Sequence, residues 1–160
     1  MIDETGLKIL KILQEKARIP NVEVARQVGM APSAVLERIR KLEKQGIIDG
    51  YEVRLNPKRF RRSLVAFVFV KTDIQADQIG IGSSLSQIPE VQEVHFIAGE
   101  DCYLLKVRVA DTLELQKFLS EKIRTLDAVR SVRSHIALLT LKETSRIPLE
   151  ENDTDFYCRE

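Results

Sequence analysis

Few residues in this chain have the types and spacing that bond-breaking chemistry needs. Histidine occurs only at positions 95 and 135, and cysteine only at 102 and 158. Two cysteines this far apart fit neither a disulfide framework nor a zinc site. The chain has no HExxH helix, no phosphate loop and no nucleophile paired with a base, so no catalytic residue, metal ligand or cofactor is assigned. The residues that stand out are suited to holding a polyanion. Ser33, Glu37, Arg40, Lys41 and Lys44 fall on one arc of a helix, with Ala34 and Arg38 on its flank. A small-residue start and a cationic outer face are what a helix needs to enter the DNA major groove. Glu37 fits two roles, accepting from a cytosine amino group or pairing with Lys41. Lysine and arginine on the outside of a helix are also an ordinary solvated face, so the motif needs its context.

The elements that would position this arc lie within residues 21–50. Asn21 is a good N-cap, and Val24, Ala25 and Val28 give a narrow apolar stripe. Gly29 takes positive φ at little steric cost, so a helix can stop and turn there. Pro32 suits the first turn of the next helix. Val35, Ile39 and Leu42 then face inward with Leu36 beside them. Upstream, Asp3 caps a first helix whose core stripe is Leu7, Leu10 and Leu13, extended by Ala17 and ended before Pro20. After Gly46, the Asp49–Gly50 turn and the alternation of Tyr51, Val53 and Leu55 with Glu52 and Arg54 predict a wing or short strand.

The formal charge of +1 hides an asymmetry. Residues 1–62 hold fourteen Lys and Arg against eight Asp and Glu, and the remainder holds eleven against sixteen. A basic first third on an acidic remainder points to polyanion binding by the first part. No apolar run approaches the ~18 residues of a membrane span. The N-terminus lacks a basic-then-apolar signal, so a cytoplasmic location is the expectation.

From Leu64 the pattern changes. Residues 51–63 read as a hinge, with Lys58, Arg59, Arg61 and Arg62 around Phe60 close to DNA. Residues 64–71 form a strand apolar on both faces: Leu64, Ala66, Val68 and Val70 on one, Val65, Phe67 and Phe69 on the other. A helix over 76–88 is weakened by Gly80 and Gly82, so its start should be late or irregular. Strands at 91–98 and 103–109 flank a turn at 99–101. Thr112 caps a second helix carrying Leu115, Phe118, Leu119, Ile123 and Leu126, and 129–141 is a final strand. The expected class is α+β: a winged helix-turn-helix domain (1–50), the hinge, a ferredoxin-like βαββαβ domain (64–142) and a mobile polar tail (143–160). Two helices cover only one face of such a sheet. Leaving an apolar second face wet is costly at ~25 cal/mol per Å², so that face should meet another copy in a two-fold dimer. A dimer also suits a helix-turn-helix protein spanning two half-sites one DNA turn apart.

Over residues 1–142 the chain resembles the Lrp/AsnC, or feast/famine, family. The resemblance rests on Asp3 with Lys8-Ile9-Leu10, Ala17-Arg18, Val28-Gly29-Met30, Arg38-Ile39, Leu42-Glu43, Gly46-Ile47-Ile48, Gly50-Tyr51 and Asn56-Pro57. In the second half it rests on Val91, Gly99-Glu100, Tyr103-Leu104-Leu105-Lys106-Val107 and Val129-Arg130-Ser131. It implies a transcription regulator with an N-terminal DNA-binding domain and a C-terminal ligand-sensing domain, built as dimers often stacked into tetramers or octamers. Ser33, Ala34, Glu37, Arg38 and Lys41 match the family's DNA-contacting helix. The family's effectors, commonly amino acids, bind in clefts between dimers near the hairpin that corresponds to residues 99–103. Gly99, Glu100, Asp101, Cys102 and Ser134 are the effector-site candidates so implied. Ser134 stands where many relatives have threonine. Cys102 departs from the aspartate of many members and cannot replace it as an ammonium partner. Glu100 or Asp101 takes that role, or the ligand differs, or there is none. Two other readings compete: a haem-pathway (sirohaem-type) decarboxylase on the same architecture, and a sequence-tolerant architectural protein that wraps DNA.

Overall fold

The computed structural model describes residues 2–73, 77–99 and 102–150. The chain forms two compact units, one reaching to Arg54 and joined by the segment from Glu143, the other spanning Leu55–Lys142.

Three helices build the first unit: α1 (Glu4–Glu15), α2 (Asn21–Val28) and α3 (Pro32–Lys44). Asp3 caps α1 as expected, its Oδ1 accepting from the Gly6 amide at 2.8 Å. The site admits no larger residue at position 6 without displacement, because a Cβ there would lie 3.0 Å from that oxygen and 3.1 Å from Ile2 Cγ2. The helix is buried on two sides. Ile9 and Leu13 pack with Val24, Ala25, Val35 and Ile39, while Leu7 and Leu10 pack with Ile2 and Leu42. The expected leucine stripe omits Ile9, which is fully buried, and Ala17 lies beyond the helix end and is exposed.

Asn21 is not the cap of α2. Pro20 holds that place with extended backbone (φ −61°, ψ 140°), and its carbonyl accepts from Glu23 and Val24 at 2.9 and 3.2 Å. The extended ψ of Pro20 supplies the non-helical entry, so the helix starts at Asn21, one residue earlier than an Asn21 cap would place it. Gly29 ends α2 in the left-handed region (φ 70°, ψ 35°), its amide donating to Ala25 O as expected.

The expected wing strand does not form. Ile47 and Ile48 fold back on the apolar clusters, and the Tyr51 hydroxyl donates to Glu43 Oε1 at 2.9 Å. Residues 51–56 run without a ladder, leaving Val53 85% exposed. An alternating segment becomes a strand only beside an edge that takes its hydrogen bonds.

The segment expected as a mobile tail lies along α1 as far as Glu150. Gln14 Nε2 donates to Ile147 O at 3.1 Å, and the Ile147 amide donates back to Gln14 Oε1 at 2.9 Å. Arg146 Nη2 donates to Glu15 O at 3.1 Å, satisfying a carbonyl that the end of α1 leaves unpaired. Leu149 packs on the cluster of Ile2, Leu7, Leu10 and Leu42. Side-chain to main-chain bonds of Gln14 and Arg146 and one leucine make this attachment, which a search for periodicity does not register. Residues 151–160 lie outside the described residues.

The second unit is the expected βαββαβ plait. Its sheet has the order β2–β3–β1–β4 for β1 (Leu64–Thr72), β2 (Val91–Ile97), β3 (Cys102–Val109) and β4 (Val129–Ile136), with every pairing antiparallel. Helices α4 (Gln78–Ser86) and α5 (Thr112–Phe118) cover one face, and a π-helical turn (Leu119–Ile123) continues α5. Ala66, Val68, Val70, Tyr103, Leu105, Val107 and Val109 meet Leu85, Leu115, Phe118 and Ile123 in the core. The late start expected of α4 is present, with Asp77 capping it through the Gly80 amide at 3.1 Å. Asp111, not Thr112, caps α5; its carboxylate reaches the Glu114 amide at 2.9 Å. β4 is five residues shorter than expected. Ala137 N donates to Val65 O at 2.9 Å, and β1 begins at Leu64, so Leu138, Leu139 and Leu141 find no partner edge and stay exposed. No helix among the described residues is long and apolar enough to cross a membrane.

Candidate DNA-binding helix and effector hairpin

The exposed arc of α3 is set by what its other side buries. Val35, Ile39 and Leu42 are 0%, 6% and 6% exposed, so the helix cannot roll without uncovering them. Ser33, Glu37, Arg40, Lys41 and Lys44 consequently face outward, and Ala34 is half-buried on the flank. Among the described residues, no ion pair or hydrogen bond reaches the charged ends of Arg40, Lys41 or Lys44, and none joins Glu37 to Lys41. Two other surface cations of the unit are paired with neighbours on their own helix: Lys8 with Glu4 at 2.6 Å, and Arg26 with Glu23 at 2.6 Å. The hydrogen bond from Arg26 is the main cause that lowers the Glu23 carboxyl to about 2. A face of unengaged cations keeps its attraction for phosphates.

Arg38 differs from these. Its Nη1 donates to both Asp3 oxygens, at 2.7 and 2.6 Å. That bond is the largest cause holding the Asp3 carboxyl below the ordinary carboxylate range. Its partner sits 35 residues away in the chain, and no local pattern in the sequence signals the pairing.

The effector-site candidates are more scattered. Gly99 is exposed with φ 105°, and Cys102 is buried at the start of β3, opposite Lys71 and Ile97. Glu100 and Asp101 lie outside the described residues. Ser134 is exposed on β4, opposite Val68, which itself neighbours Leu105. Two strands and three residues thus separate it from Cys102, ~14 Å at ordinary sheet spacings. The two also point to opposite faces, since Val68 belongs to the helix-side core and Lys71 to the other side. One protomer does not bring Ser134 and the hairpin together.

The face away from the helices carries Val65, Phe67 and Phe69 along the central strand. Phe67 is 38% exposed. The ring of Phe69 meets His135 edge-on, with centroids 5.6 Å apart, and the Arg133 guanidinium lies 5.8 Å above it. His95 is on β2 and His135 on β4, the two edges of the sheet, ~14 Å apart across the strands at ordinary spacing. They are too distant to share a proton. His95 instead approaches Glu93 at 3.4 Å, which in turn binds Lys106 at 2.8 Å. Among the described residues, no group of three or more His, Cys, Asp and Glu is placed to hold a metal ion.

Comparison with known proteins agrees with this division of labour. Residues 2–49 match the winged helix-turn-helix DNA-binding domain, and residues 65–147 match the Lrp/AsnC ligand binding domain. The leucine-responsive regulatory protein of Klebsiella pneumoniae is 35% identical over 151 residues, 93% of this chain and 92% of that protein. The Escherichia coli (strain K12) protein of the same name is 34% identical over the same shares. Among solved structures, a Neisseria meningitidis transcriptional regulator in complex with L-Met superposes with a TM-score of 0.90 at 31% identity, covering 95% of this chain and 99% of that one. E. coli AsnC superposes at 0.84 with 27% identity over 92% and 99%. A three-helix unit presenting unengaged cations, a βαββαβ plait and these matches over both units place the chain in the Lrp/AsnC family of transcriptional regulators.

Proposed function

We propose that the protein is a cytoplasmic, sequence-specific DNA-binding regulator that works as a two-fold dimer and answers to a small amino acid. The observation that carries this reading is the outer arc of α3. Ser33 and Ala34 give the close approach that a groove demands, Glu37 is free to accept from a base, and Arg40, Lys41 and Lys44 are free for phosphate. The exposed Phe67 of β1, with half-buried Phe69 beside it, supports pairing of two sheets back to back, which would present two such helices to successive half-sites. The methionine complex of the Neisseria relative supports an amino acid as effector. The turn at residues 99–102, joined by Ser134 of a neighbouring copy, is the proposed seat. The protein is proposed to have no catalytic activity of its own.

Two measurements test this. Footprinting on the DNA upstream of the protein's own coding sequence should give protection over a fixed motif. Regularly spaced protection without one would favour the architectural reading. A thermal-shift screen of the twenty amino acids should raise the melting point for one or a few, because a ligand of the native state stabilises it. No shift with any of them would remove the amino-acid effector.

A further inference from the structure

We propose that Asp3 is a positioning residue for DNA recognition, and that Arg38 acts through it rather than by touching phosphate. The proposal rests on α3 being the groove helix. One carboxylate holds two helices at once. Its Oδ1 closes the first turn of α1 through the Gly6 amide at 2.8 Å, while both oxygens accept from Arg38 Nη1 at 2.7 and 2.6 Å near the middle of α3. Against the other two helices α3 is otherwise held by the apolar contacts of Val35, Ile39 and Leu42, the Glu43–Tyr51 bond tying it only to the segment that follows, and apolar burial has little directionality. The buried stripe sets which arc of α3 faces outward; a charged hydrogen bond also has direction, and it fixes the roll within that coarse setting. With side-chain tips ~6 Å from the axis, a roll of ~20° displaces them by ~2 Å. That exceeds the roughly 0.5 Å window within which a base-edge hydrogen bond stays good. Position 6 fits the device, since a Cβ there would crowd the same Asp3 oxygen.

The two roles open to Arg38 predict opposite signs. If Arg38 bound phosphate, Asp3 would be a competing anion beside it, and removing the carboxylate would tighten DNA binding. If Asp3 positions the helix, removing it loosens binding. The test uses the full chain on its footprinted DNA, with affinity measured across a salt series. Asp3→Ser keeps a capping oxygen for α1 but cannot reach Arg38. Arg38→Ala removes the other end, and Lys41→Ala is the phosphate control.

Asp3→Ser and Arg38→Ala should each weaken binding by about threefold to tenfold. The double variant should be no weaker than either single one, which is the mark of residues acting as one unit. Neither should change the salt slope, whereas Lys41→Ala should flatten it by ~0.9 per lost contact. Arg38→Lys, which can keep the tie, should restore affinity. Melting curves show each variant folded at the assay temperature; if Asp3→Ser is not, the salt slopes of Arg38→Ala and Arg38→Lys decide alone. Tighter binding by Asp3→Ser, or an Arg38→Ala slope as flat as that of Lys41→Ala, overturns the proposal alone. A Lys41→Ala variant with unaltered affinity and slope overturns the reading of α3, and the proposal with it.

Discussion

Replacing Phe67 by alanine is the most direct challenge to the dimer. Phe67 stands at the centre of β1, opposite Lys106 on one side and His135 on the other, and points away from the helix-side core. It is 38% exposed in the single chain. A phenylalanine side chain offers ~200 Å², so ~75 Å² remains to be covered. At ~25 cal/mol per Å² that is about 2 kcal/mol per protomer, and two-fold symmetry counts it twice. Allowing for what alanine still buries, the variant should lose about 3 to 3.5 kcal/mol of association. The dimer dissociation constant should then rise by roughly a few hundredfold. Sedimentation equilibrium over a concentration series reads this directly. Melting of the second unit should change little, since Ala66, Val68 and Val70 keep their contacts with the helices. A variant that dissociates at the same concentration as the unaltered protein refutes the reasoning. So does an unaltered protein that is monomeric at tens of micromolar.

Three further outcomes are expected. Gly29→Val should cost about 1–2 kcal/mol in chemical denaturation, because the left-handed backbone at φ 70° strains any Cβ although nothing lies within 4 Å to clash with it. Acid should loosen the first unit through Asp3. A carboxyl held below its ordinary range when folded contributes stability that is present above the unfolded value near 4 and lost as pH falls through the folded one. The melting temperature of the unaltered protein should therefore fall more steeply between pH 5 and pH 2 than that of Asp3→Ser, and parallel curves would exclude the tie. Leu149→Ala should destabilise the first unit by about 1–2 kcal/mol, since the side chain is half-buried rather than fully enclosed; hydrogen exchange of the α1 amides measures it.

The plait was legible because its signals are long. Eight consecutive strand-forming residues at 64–71 read as apolar on both faces, and the lone unpaired face follows from counting helices. Caps were legible only where one candidate stood alone. Asp3 had no rival, whereas Asn21 and Thr112 each lost the place to the residue before them, Pro20 and Asp111. Strand length was overread at 129–141 because propensity continues through Leu141 while the available edge ends near Leu64. The residues of α3 were correctly resolved into inner and outer ones by their spacing, since a helical wheel depends only on neighbours. The wheel did not show that Arg38 is bonded to Asp3, because it is blind to a partner beyond its own helix. Ser134 entered through resemblance, and no periodicity indicates that it stands two strands from the hairpin on the opposite face.

The pairing of Gln14 with Ile147 makes the helical unit a composite of two segments far apart in sequence, the one reaching to Arg54 and the one from Glu143. A protease nick in the basic segment at residues 58–62 would sever the backbone there without freeing the head, because the distal fragment still supplies the strip laid on α1. The two pieces should co-migrate in a native gel and separate only under denaturing conditions. The same architecture makes any truncation that removes residues 146–149 a lesion of the helical unit, although those residues lie more than a hundred positions from α1 in the sequence.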